Sequence, residues 1–213
     1  MPFYYQRDPE AIERQSFEQI RTLTDLSRFD PDQAQIAMRL VHTCGEPEIV
    51  EALHFSPHAM EAGLAAVEAQ ASILCDVEMV RHGLTRRLFG ERPLCFLNDE
   101  RVPALAKATS ETRSMAALSL WEPYLPGSIV VIGNAPTALF RLLEHLETGG
   151  PRPALVIGMP VGFIGAAESK DALMAHGQAL GVEWIALSGR RGGSALAAAT
   201  LNALARVQQG IRW

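Results

Sequence analysis

Arg39 and His42 lie three residues apart near the end of DPDQAQIAMRLVHTCG (residues 30–45), a stretch with helical periodicity. Side chains at i and i+3 share a helix face, so the pair can project into one pocket. An imidazole there titrates near neutral pH and can give or take a proton. A guanidinium beside it suits carboxylates or phosphates. The plainer account is a histidine that complements the negative end of its helix. The pair alone does not choose between these accounts.

Three turns carry a different chemistry. SIVVIGNAPTALF (128–140), ALVIGMPVGFIGAAESKDAL (154–173) and VEWIALSGRRGGSALAAATLNAL (182–204) each pass from a β-branched run through a glycine turn into helix-forming sequence. A helix starting at such a turn leaves free backbone N–H groups, which together with the helix dipole favour anions. Asn134 stands beside the first turn. In SGRRGGS, Arg190 and Arg191 add two permanent cations, Ser194 is spaced to cap the following helix, and Gly192 and Gly193 permit close approach of a ligand. Ordinary strand-to-helix connections and a solvated charged turn explain the same strings.

Several chemistries are excluded. The glycines of GMPVGFIGAAE are spaced GxxxGxxG rather than GxGxxG, and the next strand ends in Ser188 instead of a ribose-binding acid, which argues against a nicotinamide cofactor. No GK[ST] phosphate loop, GxSxG elbow or Ser-His-Asp order occurs. The six histidines are scattered, and five of them read as surface or turn residues. The three cysteines form no CxxC pair, so neither a metal centre nor a disulfide framework is expected. Cys75 and Cys95, inside apolar runs, read as inert buried thiols. A net charge of −5 without a Lys/Arg run speaks against nucleic acid as a partner. No apolar run nears the roughly 20 residues that cross a bilayer, and the first residues carry no signal-peptide core. A cytoplasmic protein, with no membrane partner, is the default expectation.

The elements that would position these groups follow from local pattern. Asp8 and Pro9 open a helix over residues 9–23, and Asp30-Pro31 opens a second that stops at Gly45. A third is predicted from Ser56-Pro57 to about Gln70. ASILCD (71–76) and PLCFLND (93–99) read as buried strands, followed by helix-forming VEMVRHG and SETRSMAALSLWEPYL. With the three glycine-turn units this makes five strand–helix alternations. They predict one α/β domain over residues 1–213, a mainly parallel sheet with helices on both faces, and the N-terminal helices added to it. The glycine turns would then share one sheet edge, where such sheets bind ligands.

RDPEAIERQSF, RLVHTCG, ILCDVEMVRHGLTR, ETRSMAAL, IGNAPTALF, GMPVGFIGAAESKDAL and GRRGGSALAAATLNALA together resemble the motifs of the precorrin-8X methylmutase family. The resemblance runs in order from about residue 5 to residue 206. It implies a flavodoxin-like doubly wound fold with a five-stranded sheet, a homodimer with its pocket at the subunit interface, and no external cofactor. The implied reaction is an isomerisation that moves a methyl group from C-11 to C-12 of a tetrapyrrole to give hydrogenobyrinate in cobalamin biosynthesis. His42, in the VHxCG motif, is implied as the catalytic residue that protonates the macrocycle. Ser16 and Arg39 are implied as substrate contacts, with Thr85 and Arg113 beside them. Asn134 and Arg190 join this set from the glycine turns. ETRS departs from the usual NTRS and GRRGGS from GRLGGS, which leaves the roles of Glu111 and Arg191 open. A cobalt-precorrin-8 methylmutase, a non-catalytic corrinoid binder and a phosphate-ester or nucleotide binder are the alternatives.

Overall fold

Two aspartates decide where the N-terminal helices begin. In the computed structural model, which describes residues 3–213, the Asp8 carboxylate accepts from the Glu10 N–H (3.1 Å) and starts α1, Pro9–Leu23. Asp30 accepts from the N–H groups of Asp32 (2.9 Å) and Gln33 (2.8 Å), and the Gln33 side chain accepts in return from the Asp30 N–H. This reciprocal cap starts α2, Pro31–Cys44. Gly45, at φ 74°, ends α2 by donating its N–H to the Val41 carbonyl. His42 is thereby set in the last turn of α2. Met1 and Pro2 lie outside the described residues.

The rest of the chain runs through a 3-10 turn (Pro47–Ala52), β1 (Leu53–Phe55), α3 (Ala59–Glu68), β2 (Ile73–Cys75), α4 (Glu78–Gly83), α5 (Arg86–Phe89) and β3 (Pro93–Cys95). It continues through α6 (Val102–Thr109), α7 (Arg113–Leu118), a 3-10 turn (Glu122–Tyr124), β4 (Ile129–Ile132), α8 (Pro136–Glu147), β5 (Leu155–Gly158), α9 (Ala166–His176), β6 (Glu183–Leu187) and α10 (Ser194–Gln208). One sheet has the order β1-β6-β5-β4-β2-β3. Its five parallel strands stand in the flavodoxin-like order 2-1-3-4-5, so the winding reverses between β2 and β4.

Residues 129–132 and 155–158 are buried along their whole length, as strands covered on both faces must be. Alternate side chains feed two cores. Ile73, Ile129, Val131, Leu155, Ile157 and Ile185 pack with α2, α3 and α10, whereas Leu74, Val130, Ile132, Val156 and Trp184 pack with α8 and α9. Burial pushes the Cys75 thiol well up and Cys95 up to about 11, so both stay protonated.

The expected α/β fold is borne out, with a sixth strand added. β1 pairs antiparallel with the outer edge of β6, and three residues are too few to show a period-2 pattern in sequence. Ser56 belongs to this edge: its N–H donates to the Trp184 carbonyl (2.9 Å), and its hydroxyl accepts from the Trp184 N–H (2.7 Å). The third helix therefore starts at Ala59 instead of Ser56-Pro57. The helix-forming segment read after β3, residues 110–125, holds α7 and the second 3-10 turn, with α7 started by Thr112 accepting from the Met115 N–H; α6, before that segment, was not read from the sequence.

Candidate functional site

The end of α2 meets α1 and α10 through one carboxylate. Glu13 Oε1 on α1 accepts from Arg39 Nη2 (3.3 Å), from Arg206 Nη1 of α10 (3.5 Å) and from the indole Nε1 of Trp213 (3.0 Å). The Arg39 guanidinium lies 4.9 Å from the Phe17 ring and 4.0 Å from the Trp213 ring, both within cation–π range. The two rings stack at 4.6 Å and 12°. His42 meets Phe17 edge-to-face, with centroids 5.1 Å apart and planes at 79°. Burial, then the Arg39 charge, pulls the His42 imidazole below its ordinary 6.5, and Glu13 opposes them.

Beside this cluster a cleft of about 310 Å³ is lined by Arg39, Thr43, Thr85, Asn202 and Arg206, with small alanines of α10 as its floor. Asn202 ties the α4–α5 corner to α10: its Oδ1 accepts from the Thr85 N–H and its Nδ2 donates to the Gly83 carbonyl, each at 2.9 Å. The cleft thus joins cations, a hydroxyl and an apolar floor, a surface suited to a carboxylate on an apolar body.

At the sheet edge the glycine turns are more fully occupied than their sequence suggests. The buried Asp76 carboxylate, at the end of β2, accepts from the N–H groups of Gly133 (3.0 Å), Asn134 (2.9 Å) and Ala135 (2.8 Å). The anion sought by the GNAP turn is therefore part of the protein. Ser194 does not cap α10; it is the first helical residue, and Gly193 precedes it without a side-chain cap. Gly192 has a structural reason to be glycine, since a Cβ would stand 2.3 Å from the Met159 carbonyl oxygen and 2.6 Å from that of Pro160. Gly192→Ala is expected to displace the SGRRGGS turn, seen as a lowered Tm; an unchanged Tm would refute this.

Two further residues secure that turn, and neither stood out in the sequence. Lys170 of α9 is fully buried and donates from Nζ to the Arg191 carbonyl (2.5 Å); burial brings its ammonium down to about 8. The Arg191 side chain pairs with Glu46 (3.1 Å), the residue after Gly45. The turn is thus tied to the end of the helix that carries His42. Arg190 remains exposed over Phe163 at 5.7 Å, in a loop where Phe163 and Ile164 are 86% and 92% exposed.

The sequence-derived residues fall into two groups. Arg39 and Thr85 line the α2–α10 cleft, His42 packs on Phe17 one turn along α2 from Arg39, and Ser16 lies on α1 next to Phe17. Asn134 and Arg190 follow β4 and β6 at the sheet edge. Arg113, first residue of α7, donates to the Leu97 carbonyl (2.9 Å) and Asn98 Oδ1 (3.0 Å) past the end of β3. Glu111 pairs with Arg141 (3.6 Å). His54, read as a surface residue, is half-buried on β1 with Nε2 3.4 Å from the Ser188 hydroxyl. Glu13, Phe17, Asn202, Arg206 and Trp213 were not singled out in sequence; the acid–base spacing in α1 and α10 resembles any solvated helix face.

A family model described as precorrin-8X methylmutase matches residues 11–207. A Sinorhizobium protein named precorrin-8X methylmutase is 53% identical over 209 residues, covering 97% of this chain and 99% of its own. A Salmonella typhimurium protein named cobalt-precorrin-8 methylmutase is 39% identical over 211 residues, covering 94% and 96%. Among solved structures, precorrin-8X methyl mutase from Thermus thermophilus superimposes with a TM-score of 0.85 at 41% identity, covering 94% and 97%.

Proposed function

This chain belongs to the precorrin-8X methylmutase family, and from that premise we propose that it moves the C-11 methyl group of metal-free precorrin-8X to C-12, with His42 as general acid. The observation that carries the roles is that His42 and Arg39 both pack on Phe17, while Arg39 also lines the cleft that Thr85, Asn202 and Arg206 complete. The arms of the macrocycle are carboxylates. Arg39 and Arg206 share one glutamate, so one positive charge remains for substrate. Arg190, Asn134, Arg113 and Ser16 meet other arms.

The methyl shift breaks the bond from C-11 and forms the bond to C-12 within one molecule. It needs neither a nucleophile nor a metal, but it is faster when the conjugated ring is electron-poor. His42 lends a proton to the macrocycle and recovers it from the product, so atoms and charge balance without a co-reactant. A single chain leaves His42 exposed. The apolar Phe163 and Ile164 are also exposed. A second copy of the chain covering this face would exclude water from the reacting ring. Greater identity to the Sinorhizobium protein than to the Salmonella one favours the metal-free substrate. The test is incubation of the purified protein with precorrin-8X and, separately, its cobalt form. Formation of hydrogenobyrinate from the first is expected; conversion of the cobalt form alone, or of neither, would overturn the proposal.

The same geometry sets the pH dependence. Burial and Arg39 hold His42 below 6.5 in the resting protein. The acid form is needed, so kcat/KM should fall as pH rises, with its break below 6.5. Substrate carboxylates arriving beside the imidazole stabilise its charged form, which places the break in kcat at higher pH. For stability the sign is opposite: the unfolded chain binds a proton that the folded one resists, so stability is complete above 6.5 and declines as pH drops through the folded value. A kcat/KM that climbs with pH between 5 and 8 would contradict this assignment.

A further inference from the structure

The chain past α10 turns back over the site. Gly210, at φ 76°, donates to the Val207 carbonyl and Ile211 to the Arg206 carbonyl, each at 2.9 Å, which reverses the direction of the backbone. Two anchors then fix it to the first turns of α2: the Arg212 guanidinium pairs with Asp32 (2.8 Å), and the Trp213 N–H donates to Gln35 Oε1 (2.8 Å). These anchors lay the indole flat on Phe17, with its N–H on Glu13. The family model ends at residue 207, so the segment that supplies this indole lies outside it.

From this arrangement we infer that Trp213 is a positioning residue, which holds the Arg39 and Arg206 guanidiniums in the cleft and, through Phe17, the imidazole of His42. Two guanidiniums bound to the same carboxylate oxygen repel each other, and one glutamate balances only half of their charge. Glu13 is itself half-exposed and can rotate. The indole removes that freedom. Its N–H fixes the carboxylate, its face lies 4.0 Å from Arg39 and 5.3 Å from Arg206, and its stack locks the Phe17 ring against which His42 rests. Arg39 and Glu13 are the charged groups that act on His42, from its own helix and from α1. A loosened Arg39 therefore changes both carboxylate binding and the proton affinity of the imidazole.

The inference rests on the proposed function for its kinetic reading but not for its structural one, and the experiment separates them. Trp213→Ala removes stack and donor, whereas Trp213→Phe keeps the stack and loses the donor. Turnover of precorrin-8X should show KM raised by about tenfold in Trp213→Ala, with a smaller change in kcat and partial recovery in Trp213→Phe. The titration of His42 in the resting protein, followed by NMR, should move upward toward 6.5 in Trp213→Ala as the Arg39 field relaxes, and less in Trp213→Phe. A lowered Tm with an unmoved His42 titration and unchanged KM would reduce Trp213 to a structural residue and overturn the inference. If Trp213→Ala fails to fold, Trp213→Phe decides the question by the same two measurements. A parent protein that never converts precorrin-8X overturns the function alone, since the His42 titration still reports on the clamp.

Discussion

His42→Ala is expected to bind corrinoid nearly as well as the parent and to lose about 10²–10⁴-fold in kcat, the usual contribution of a positioned general acid. Binding survives because the side chain is not among the cleft's carboxylate donors. Arg39, Thr85, Asn202 and Arg206 line that surface without it. Catalysis suffers because the other nearby ionisable groups cannot substitute. A guanidinium is a permanent cation, and the Glu13 carboxyl, although burial raises it, is held below its ordinary value by Trp213, Arg39 and Arg206. Single-turnover conversion of precorrin-8X, paired with a binding titration using hydrogenobyrinate, measures the two effects separately. Near-parental conversion would remove the imidazole from the mechanism.

Asp76→Ala should produce the largest loss of stability. The Asp76 side chain is 3% exposed and accepts three backbone N–H bonds from the turn between β4 and α8. Burial pushes its carboxyl up, and those three donors pull it back. Alanine would leave the donors at the start of α8 without a partner, in a place water reaches poorly. The expected cost is about 3–5 kcal/mol, which at about 2–4 °C per kcal/mol for a chain of this size lowers Tm by about 6–20 °C. Asparagine would not restore it, because its amide brings N–H groups toward N–H groups. Calorimetry gives the answer, and a Tm within a degree of the parent would show that the turn holds itself.

This carboxylate also revises what the GNAP turn can do. A helix start with free amides invites an anion from solution, yet here Asp76 provides the anion across the point where the sheet's winding reverses. Asn134 can therefore contribute its side chain to a ligand while its own N–H is committed. SGRRGGS is similar. Its two arginines look equivalent in sequence, but Arg191 is taken by Glu46 and only Arg190 extends freely over Phe163. The closeness of Gly192 to the Met159 and Pro160 carbonyls is likewise a contact within the protein, where the sequence suggested room for a ligand.

What the amino-acid order determined by itself was whatever depends on neighbours a few positions apart. The aspartate caps of α1 and α2, the glycine stop after Cys44, the apolar runs of β4 and β5 and the placing of His42 one turn from Arg39 all arise within such short spans, so periodicity and capping chemistry reveal them. The tertiary structure alone decided the partners of the charged groups. Asp76 meets Gly133 across 57 positions, Lys170 meets Arg191 across 21, and Trp213 meets Glu13 across 200. Such pairs have no period to read: a carboxylate on a helix looks the same whether it faces water or two arginines and an indole, and only the packing of the helices on the sheet tells them apart.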